Sequence, residues 1–206
     1  MIKKILLGIL VVILGIVGYY VYMFTRKGGG GFKGEKAPEV KVGNHSEKFN
    51  KSIDSMLHAY FAMSYDFTNA DMEKVKAGAA ALLQRLDSVP MNELKKDTAL
   101  VFVTDSMSYS QAKDNIKFMV SQANITDMRK AYKDLSESLY TFLKGIHYAG
   151  KNIYWVNCGM PFGENTSANW LSEKVEFENP YLGVNHPEYK NTMLHCGEIL
   201  DTIKAK

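Results

Sequence analysis

Hydrophobic residues recur every three or four positions from Ser46 onward, which is the period of an amphipathic α-helix. The first stripe predicts a helix that begins near Ser46 and continues through Phe67. A second helix is expected to follow a cap at Thr68 or Asn69 and to end before Pro90, because the residue before a proline disfavours helical geometry.

Two further helices complete this pattern. The third covers about Glu93 to Gln122, with a break near Thr104 to Ser110, and the fourth follows a cap at Thr126. Four amphipathic helices with short connections predict an antiparallel four-helix bundle. Their hydrophobic stripes are interpreted as the core of that bundle.

The pattern changes after Gly150. Lys151 to Val156 and Val175 to Phe177 are short strand-like runs, and from Thr192 onward a last short helix is expected. The predicted fold class is therefore mainly α. It consists of the bundle and an irregular C-terminal tail that contains short strands and a final short helix.

An unbroken run of twenty uncharged residues, Ile5 to Phe24, precedes this domain. As a helix it would be roughly 30 Å long, which is the thickness of the hydrocarbon core of a bilayer. A cleavable signal peptide would have a shorter apolar region that ends in small residues. The run is therefore interpreted as an uncleaved, single-pass transmembrane anchor over residues 1–25, with residues 5–24 in the membrane.

A flexible linker over residues 26–44 is expected to separate the anchor from a folded domain over residues 45–206. The linker contains four consecutive glycines, Gly28 to Gly31, together with alternating charges, and it has little to bury. A linker of this kind would let the domain stand away from the membrane surface.

The net charge of +3 is concentrated at the start of the chain. Residues 1–36 contain six basic residues and one acidic residue, a balance of +5, so the remainder carries −2. The folded part therefore offers no cationic face for nucleic acid. Basic residues flank the apolar run on both sides, so the positive-inside rule does not decide the orientation of the anchor.

The chain has two cysteines, Cys158 and Cys196, and each lies within three positions of a methionine. On an extended segment Cys158 and Met160 point the same way, and on a helix Met193 and Cys196 share a face. Each segment can thus aim one thiolate and one thioether at a common point. Such soft ligands favour Cu(I), with His195 as an additional or neighbouring ligand.

Two other interpretations of the cysteines stay open. In an oxidising compartment, Cys158 and Cys196 could form a disulfide that closes a loop of about 38 residues and stabilises the fold by about 3 to 4 kcal/mol. Alternatively, both are unpaired thiols in an apolar core, where cysteine behaves as a small hydrophobe.

No arrangement in the sequence predicts catalysis. Cys158 with His147 or His195 could form a nucleophile–base pair, but no third orienting group or oxyanion hole follows from the spacing. Glycine motifs that cradle phosphate are also absent from the sequence. The protein is therefore expected not to be an enzyme and to have no catalytic residue.

Four motifs in the last third of the chain resemble the family called domain of unknown function 3347. In order, they are Cys158-Gly159-Met160-Pro161-Phe162, Trp170-Leu171-Ser172, Asn179-Pro180-Tyr181-Leu182-Gly183 and Met193-Leu194-His195-Cys196-Gly197-Glu198. The resemblance extends more weakly over the helices and covers roughly Phe49 to Ile203. This sequence departs from the family pattern at Gly159, where proline is usual, and in a longer link from Gly183 to Met193 that includes His186.

The resemblance implies a biological setting. Members of that family occur mainly in Bacteroidota, alone or fused to periplasmic adaptors of heavy-metal efflux pumps. The chain is accordingly expected to be a single-pass protein of the inner membrane, with its soluble domain in the periplasm. Copper or a related metal is the expected cargo, and components of an efflux pump are the expected partners.

Overall fold

The computed structural model describes residues 13–20, 22–23, 45–186 and 188–205. The chain divides into two compact units, Met1–Glu39 and Val40–Lys206. In the first unit, residues 13–20 and 22–23 are helical and exposed. No helix within the described ranges is long and apolar enough to cross a membrane. Much of the predicted anchor and all of the predicted linker lie outside the described residues, so both stay predictions.

Four long helices make up most of the second unit. They are α1 (Glu47–Thr68), α2 (Met72–Asp87), α3 (Ala99–Val120) and α4 (Ile125–Gly145). Because α1 packs along α2 and α3 packs along α4, with short connections, the helices form two antiparallel hairpins. The prediction of a mainly α domain is confirmed.

Polar side chains cap three of these helices. The caps are Ser46, Asp71 and Asn124. Each cap accepts a hydrogen bond from the backbone N–H three residues later, which satisfies one of the free donors of the first turn. The sequence places the start of the first helix near Ser46 without naming a cap, and it places the other two caps at Thr68 or Asn69 and at Thr126. Helix α1 continues through Thr68, so the second cap moves to Asp71.

The third helical region is interrupted earlier than the sequence predicts. A 3-10 helix, Met91–Lys96, comes first, and α3 then runs without a break through residues 104–110. That stretch contains several polar residues. One of them, Ser108, donates its hydroxyl to the carbonyl of Thr104 at 3.0 Å, and such a bond within the helix lets a polar residue continue it.

A three-stranded antiparallel sheet follows the helices. Its strands are β1 (Ile153–Cys158), β2 (Ala168–Ser172) and β3 (Glu198–Ile203), in the order β2-β1-β3. Strand β1 is the predicted run after Gly150. The run predicted at Val175 to Phe177 is no strand, because Val175 and Glu176 lie in a bend and Phe177 is irregular, and Trp170 lies in β2.

The last segment is a strand, so the predicted final short helix from Thr192 is wrong. Turns occupy residues 191–195, and β3 then pairs with the free edge of β1. The spacing of Ile199, Leu200 and Ile203 fits a helical stripe as well as a strand. The unpaired edge of β1 decides between them, because short segments take their structure from their tertiary context.

The helices and the sheet share one hydrophobic core. Trp170 in β2 is 1% exposed and meets the ring of Tyr181 edge to face, with 5.9 Å between ring centroids. Tyr132 of α4 stacks on Tyr60 of α1 at 5.5 Å, which joins the two hairpins. The tail is therefore part of the core and is not an appendage of the bundle.

Candidate functional site

Pairing of β3 with β1 brings the two cysteines together. Val156 lies opposite Ile199 and Asn157 opposite Glu198, so the register continues toward Cys158 on one strand and Cys196 on the other. Cys158 is the last residue of β1, and Cys196 comes two residues before β3. This register brings the two cysteine segments to the same end of the β1–β3 pair.

The two thiols differ in their surroundings. Both are free; Cys158 is fully buried, whereas Cys196 is half-buried. Burial raises the pKa of the Cys196 thiol, and the neighbouring Cys158 thiol raises this pKa further. The effect on Cys196 reflects the closeness of the Cys158 thiol to it. It also means that the protonated thiol is the favoured form of Cys196 when no metal is bound.

Asn179 positions the backbone around Cys196. Its amide Nδ2 donates to the carbonyl of Cys196 at 2.7 Å, and its backbone N–H donates to the carbonyl of Leu194 at 2.6 Å. Its Oδ1 accepts from the N–H groups of Tyr181 and Leu182, at 2.8 and 3.1 Å. Asn179 is fully buried, so these bonds tie the turn before β3 to the core.

Gly197 allows Cys196 to approach the sheet. A Cβ atom at this position would lie 2.9 Å from the ring of Trp170 and 3.0 Å from the carbonyl oxygen of Asn157 and the ring of Phe177. Any side chain would therefore push the chain away from β1. The glycine after Cys196 is needed for the closeness of the two cysteine segments.

The methionines of the predicted ligand set lie in different environments. Met193 is half-buried against the core, and its carbonyl accepts a hydrogen bond from the N–H of Cys196 at 3.0 Å. That bond closes a β-turn, which keeps Met193 near Cys196 although the predicted helix is absent. Met160 lies beyond the end of β1 and is 41% exposed, whereas Cys158 is fully buried.

His195 is exposed, and its Nδ1 lies 2.9 Å from the carbonyl oxygen of Phe177. A carbonyl only accepts, so Nδ1 carries the hydrogen in this bond and the lone pair of the neutral ring is on Nε2. Metal-binding histidines commonly hold their tautomer in this way. His195 therefore has one nitrogen in the chemical state that a metal requires.

No group of three or more His, Cys, Asp or Glu side chains that could hold a metal ion occurs among the residues that the structure describes. The predicted set is of a different kind, because two of its four members are methionines. Its chemistry depends on the two thiols, with thioether and imidazole as further donors.

The sequence analysis missed two residues of this region. The sequence marks Asn179 only as part of a motif, but this residue holds the turn that carries Cys196. Gly197 was noted only as part of a motif. The signal for Asn179 was its place in the motif Asn179-Pro180-Tyr181, since a buried asparagine must find partners for its whole amide.

Residues 56–150 match the model of the family described as "Protein of unknown function (DUF3347)". The helical part of the chain is therefore similar to this family. The match begins within α1 and ends three residues before β1, so it covers most of α1 and all of α2, α3 and α4. The four motifs that suggested DUF3347 lie beyond the matched residues. No curated protein and no solved structure matches the chain.

Proposed function

We propose that this DUF3347 domain binds a soft metal ion such as Cu(I) as cargo, with Cys158 and Cys196 as its principal ligands. In this proposal Met193 and Met160 supply thioether donors, and His195 is an additional ligand. The observation that carries the proposal is the pairing of β1 with β3, which brings two cysteines 38 positions apart in sequence into one environment.

The chemistry of the donors favours Cu(I) over harder ions. Thiolate and thioether sulfur are soft ligands, whereas Zn²⁺ prefers thiolate, imidazole and carboxylate. Metal binding needs the thiolate, so an ion must displace the proton from Cys196, whose thiol pKa is raised. Affinity should therefore increase with pH. Partial exposure of Cys196 leaves a route by which an incoming sulfur ligand can exchange the ion.

The proposed setting is the inner membrane, with residues 5–24 as a single-pass anchor and the domain in the periplasm. The twenty-residue apolar run supports the anchor. The similarity to DUF3347 supports a link to metal efflux or homeostasis, because members of that family occur fused to adaptors of heavy-metal efflux pumps. Components of a heavy-metal efflux pump are the proposed partners.

Titration of the full chain with Cu(I) against a colorimetric Cu(I) chelator, under reductant, tests the proposal. We expect one ion to bind per chain. Cys196→Ser should abolish this binding, because serine oxygen is a hard ligand. Cys196 is half-buried, so this variant is expected to disturb the core less than a change at Cys158. Equal affinity of Cys196→Ser and the wild type would refute the proposal.

Methionine variants test the rest of the ligand set. Met193→Leu and Met160→Leu keep side-chain size but remove the thioether, so each should weaken Cu(I) binding if its sulfur is a ligand. Met107→Leu is the matched control, because Met107 is 58% exposed on α3 and belongs to no predicted site. An effect of Met107→Leu equal to the other two would show that the change is not local.

A second candidate function is a structural or interaction module in which a Cys158–Cys196 disulfide holds the tail. The same closeness of the two thiols favours it. Mass measurement without reductant should then show the loss of two hydrogen atoms, and the oxidised chain should gain about 3 to 4 kcal/mol of stability. A bridge in the protein as isolated, together with no Cu(I) binding after reduction, would favour this second function.

A further inference from the structure

A cavity of about 300 Å³ lies between the start of α4 and two segments of the tail. Arg129 and Lys130 of α4 form one wall, and Met160, Phe162, Tyr181 and Tyr189 supply most of its apolar surface. The volume is at the lower end of the range for small-molecule sites. The proposed metal ligands contribute one residue, Met160, to its wall.

Arg129 is a buried cation without a carboxylate partner among the described residues. It is 4% exposed. Its Nε donates to the carbonyl of Pro180 at 2.9 Å, and its Nη2 donates to the carbonyl of Phe67 at 2.8 Å. Burial lowers the pKa of Arg129 to about 10, so the guanidinium stays charged at neutral pH.

These two bonds use only part of the guanidinium. Arginine has five N–H donors, and within the part of the chain that the structure describes Nη1 donates to no protein acceptor. Nη1 is not sealed from solvent, and Arg129 lines the cavity, so Nη1 is the donor left for a ligand there. The two carbonyl bonds hold the planar group in one orientation.

The charges around the cavity favour an anion. Lys130 adds a second positive charge, although it pairs with Asp127 at 2.8 Å, and the first turn of α4 adds the positive end of the helix dipole. Nδ1 of His186 accepts from the N–H groups of Glu188 and Tyr189, both at 3.2 Å, which leaves its hydrogen on Nε2. Among the described residues that line the cavity, Glu188 is the one with a carboxylate, and no salt bridge joins it to Arg129.

We propose that this cavity binds a small organic anion, with a carboxylate or phosphate group on Arg129 and a flat apolar part against the neighbouring aromatic rings. A guanidinium held in one plane matches carboxylate and phosphate oxygens and discriminates against neutral molecules. Phe162 and Tyr181 stand at 79° to each other, with 5.7 Å between ring centroids, and offer the apolar part a ring face and a ring edge.

Calorimetric titration of the full chain with three probes tests this proposal. The probes are benzoate, phenyl phosphate and the neutral analogue benzamide. We expect saturable binding of at least one anion and at least tenfold weaker binding of benzamide. The two anion arms show whether the site prefers a carboxylate or a phosphate. Absence of saturable binding by both anions would overturn the proposal.

Variants at the cavity mouth provide the structural control, because replacing Arg129 itself would remove bonds that hold the fold. Thr126→Glu places a carboxylate at the wall and should weaken anion binding about tenfold. Thr141→Glu makes the same charge change on an exposed site of α4, roughly 22 Å along the helix, and should have no effect. Glu188→Gln removes the competing carboxylate and should strengthen binding.

These variants separate a ligand site from a purely structural arginine. If Arg129 only ties the tail to α1, then Thr126→Glu, Thr141→Glu and Glu188→Gln should leave probe binding equal, and the proposal is wrong. The outcome is independent of Cu(I) binding, because none of the three variants removes a proposed metal ligand.

Discussion

At the scale of single residues, the buried Tyr60 hydroxyl takes part in three hydrogen bonds within the core. It accepts from the hydroxyl of Tyr132 at 2.7 Å and from the N–H of Leu171 at 3.2 Å. Ser136 already donates to the carbonyl of Tyr132, so Tyr60 donates its own hydrogen to Ser136 Oγ at 2.7 Å. Burial raises the pKa of Tyr60 to about 12, so the hydroxyl stays protonated and can donate. One hydroxyl thus joins α1, α4 and β2.

Tyr60→Phe should lower the free energy of unfolding by about 2 to 3 kcal/mol, because it leaves the buried Leu171 N–H and Tyr132 hydroxyl without their acceptor. Urea unfolding measures the change. Tyr65→Phe is the control, since Tyr65 is 60% exposed on the same helix and should change stability by less than about 0.5 kcal/mol. Similar losses in both variants would show that the hydroxyl network contributes nothing specific.

Asp105 is a buried carboxylate that should make stability depend on pH. It is fully buried in α3, its two oxygens have no hydrogen-bond partner among the described residues, and its side chain lies against Gly145. Burial, together with the nearby Asp97, raises the pKa of Asp105 to about 6 from 3.8. The folded state therefore favours the protonated carboxyl.

The sign of the pH effect follows from this raised pKa. Below about pH 4 the carboxyl is protonated in both folded and unfolded chains and causes no penalty. As pH rises from about 4 to about 6, the unfolded chain releases the proton first, so stability decreases by on the order of 2 kcal/mol. Asp105→Asn should remove this decrease. Unfolding curves at pH 4 and pH 7 measure it, and an unchanged slope in the variant would contradict the prediction.

At the scale of elements, α3 differs from the other helices by its exposed apolar residues. Leu100, Val103 and Met107 are 65%, 51% and 58% exposed and follow helical spacing on one face. Periodicity alone does not show that such a stripe faces outward, because apolar residues also line the opposite side of α3. The stripe adds little to the folding of the isolated domain.

Replacing Leu100, Val103 and Met107 together by serine should therefore change the free energy of unfolding by less than about 1.5 kcal/mol in total. Leu139→Ala, a single change at a fully buried position in α4, should cost about 2 to 5 kcal/mol. Chemical denaturation compares the two variants. A larger loss from the triple variant would mean that this face is buried within the domain.

The sequence predicts elements well where a pattern is long and local. The stripes of α1, α2 and α4 identify those helices, and Ile153 to Val156 identifies β1. The pattern fails where partners distant in sequence decide the structure. Residues 198–203 become a strand because β1 has a free edge, and Trp170 lies in a strand that no alternation marks.

The same limit applies to the candidate site. Residue types and spacing mark Cys158 and Cys196 as candidates for a metal site or a disulfide, and the sheet register brings their segments together. Spacing could not show that Met160 is exposed beyond the end of β1, nor that Asn179 holds the Cys196 turn, because both facts depend on how the tail folds back.

At the scale of the folded unit, hydrogen bonds join the tail to the end of α1, close to its connection with α2. The N–H of Val184 donates to the carbonyl of Thr68 at 2.9 Å, and Arg129 binds the carbonyls of Phe67 and Pro180. Gly183, at φ +60°, lies so close to Thr68 that a Cβ atom would overlap the carbonyl oxygen. We therefore expect the helices and the tail to unfold as one cooperative unit.

Gly183→Ala should lower the thermal unfolding temperature. Alanine disfavours a positive φ, and its methyl group would clash with the Thr68 carbonyl oxygen. We expect a loss of about 2 kcal/mol or more. Gly159→Ala is the matched control, since a Cβ atom there would meet no atom within 4 Å. Differential scanning calorimetry should show one transition in both variants, and equal temperatures would contradict the prediction.

The strand order has a consequence for how occupancy of the thiols could be observed. Strand β3 lies at the edge of the sheet, and Glu198 to Leu200 are exposed, so its amides should exchange with solvent faster than those of the central strand. An ion bound by both Cys158 and Cys196 would link β3 to β1 at one end of the edge strand. Deuterium uptake at Ile199 to Thr202 should then slow on loading, while uptake in α1 stays constant.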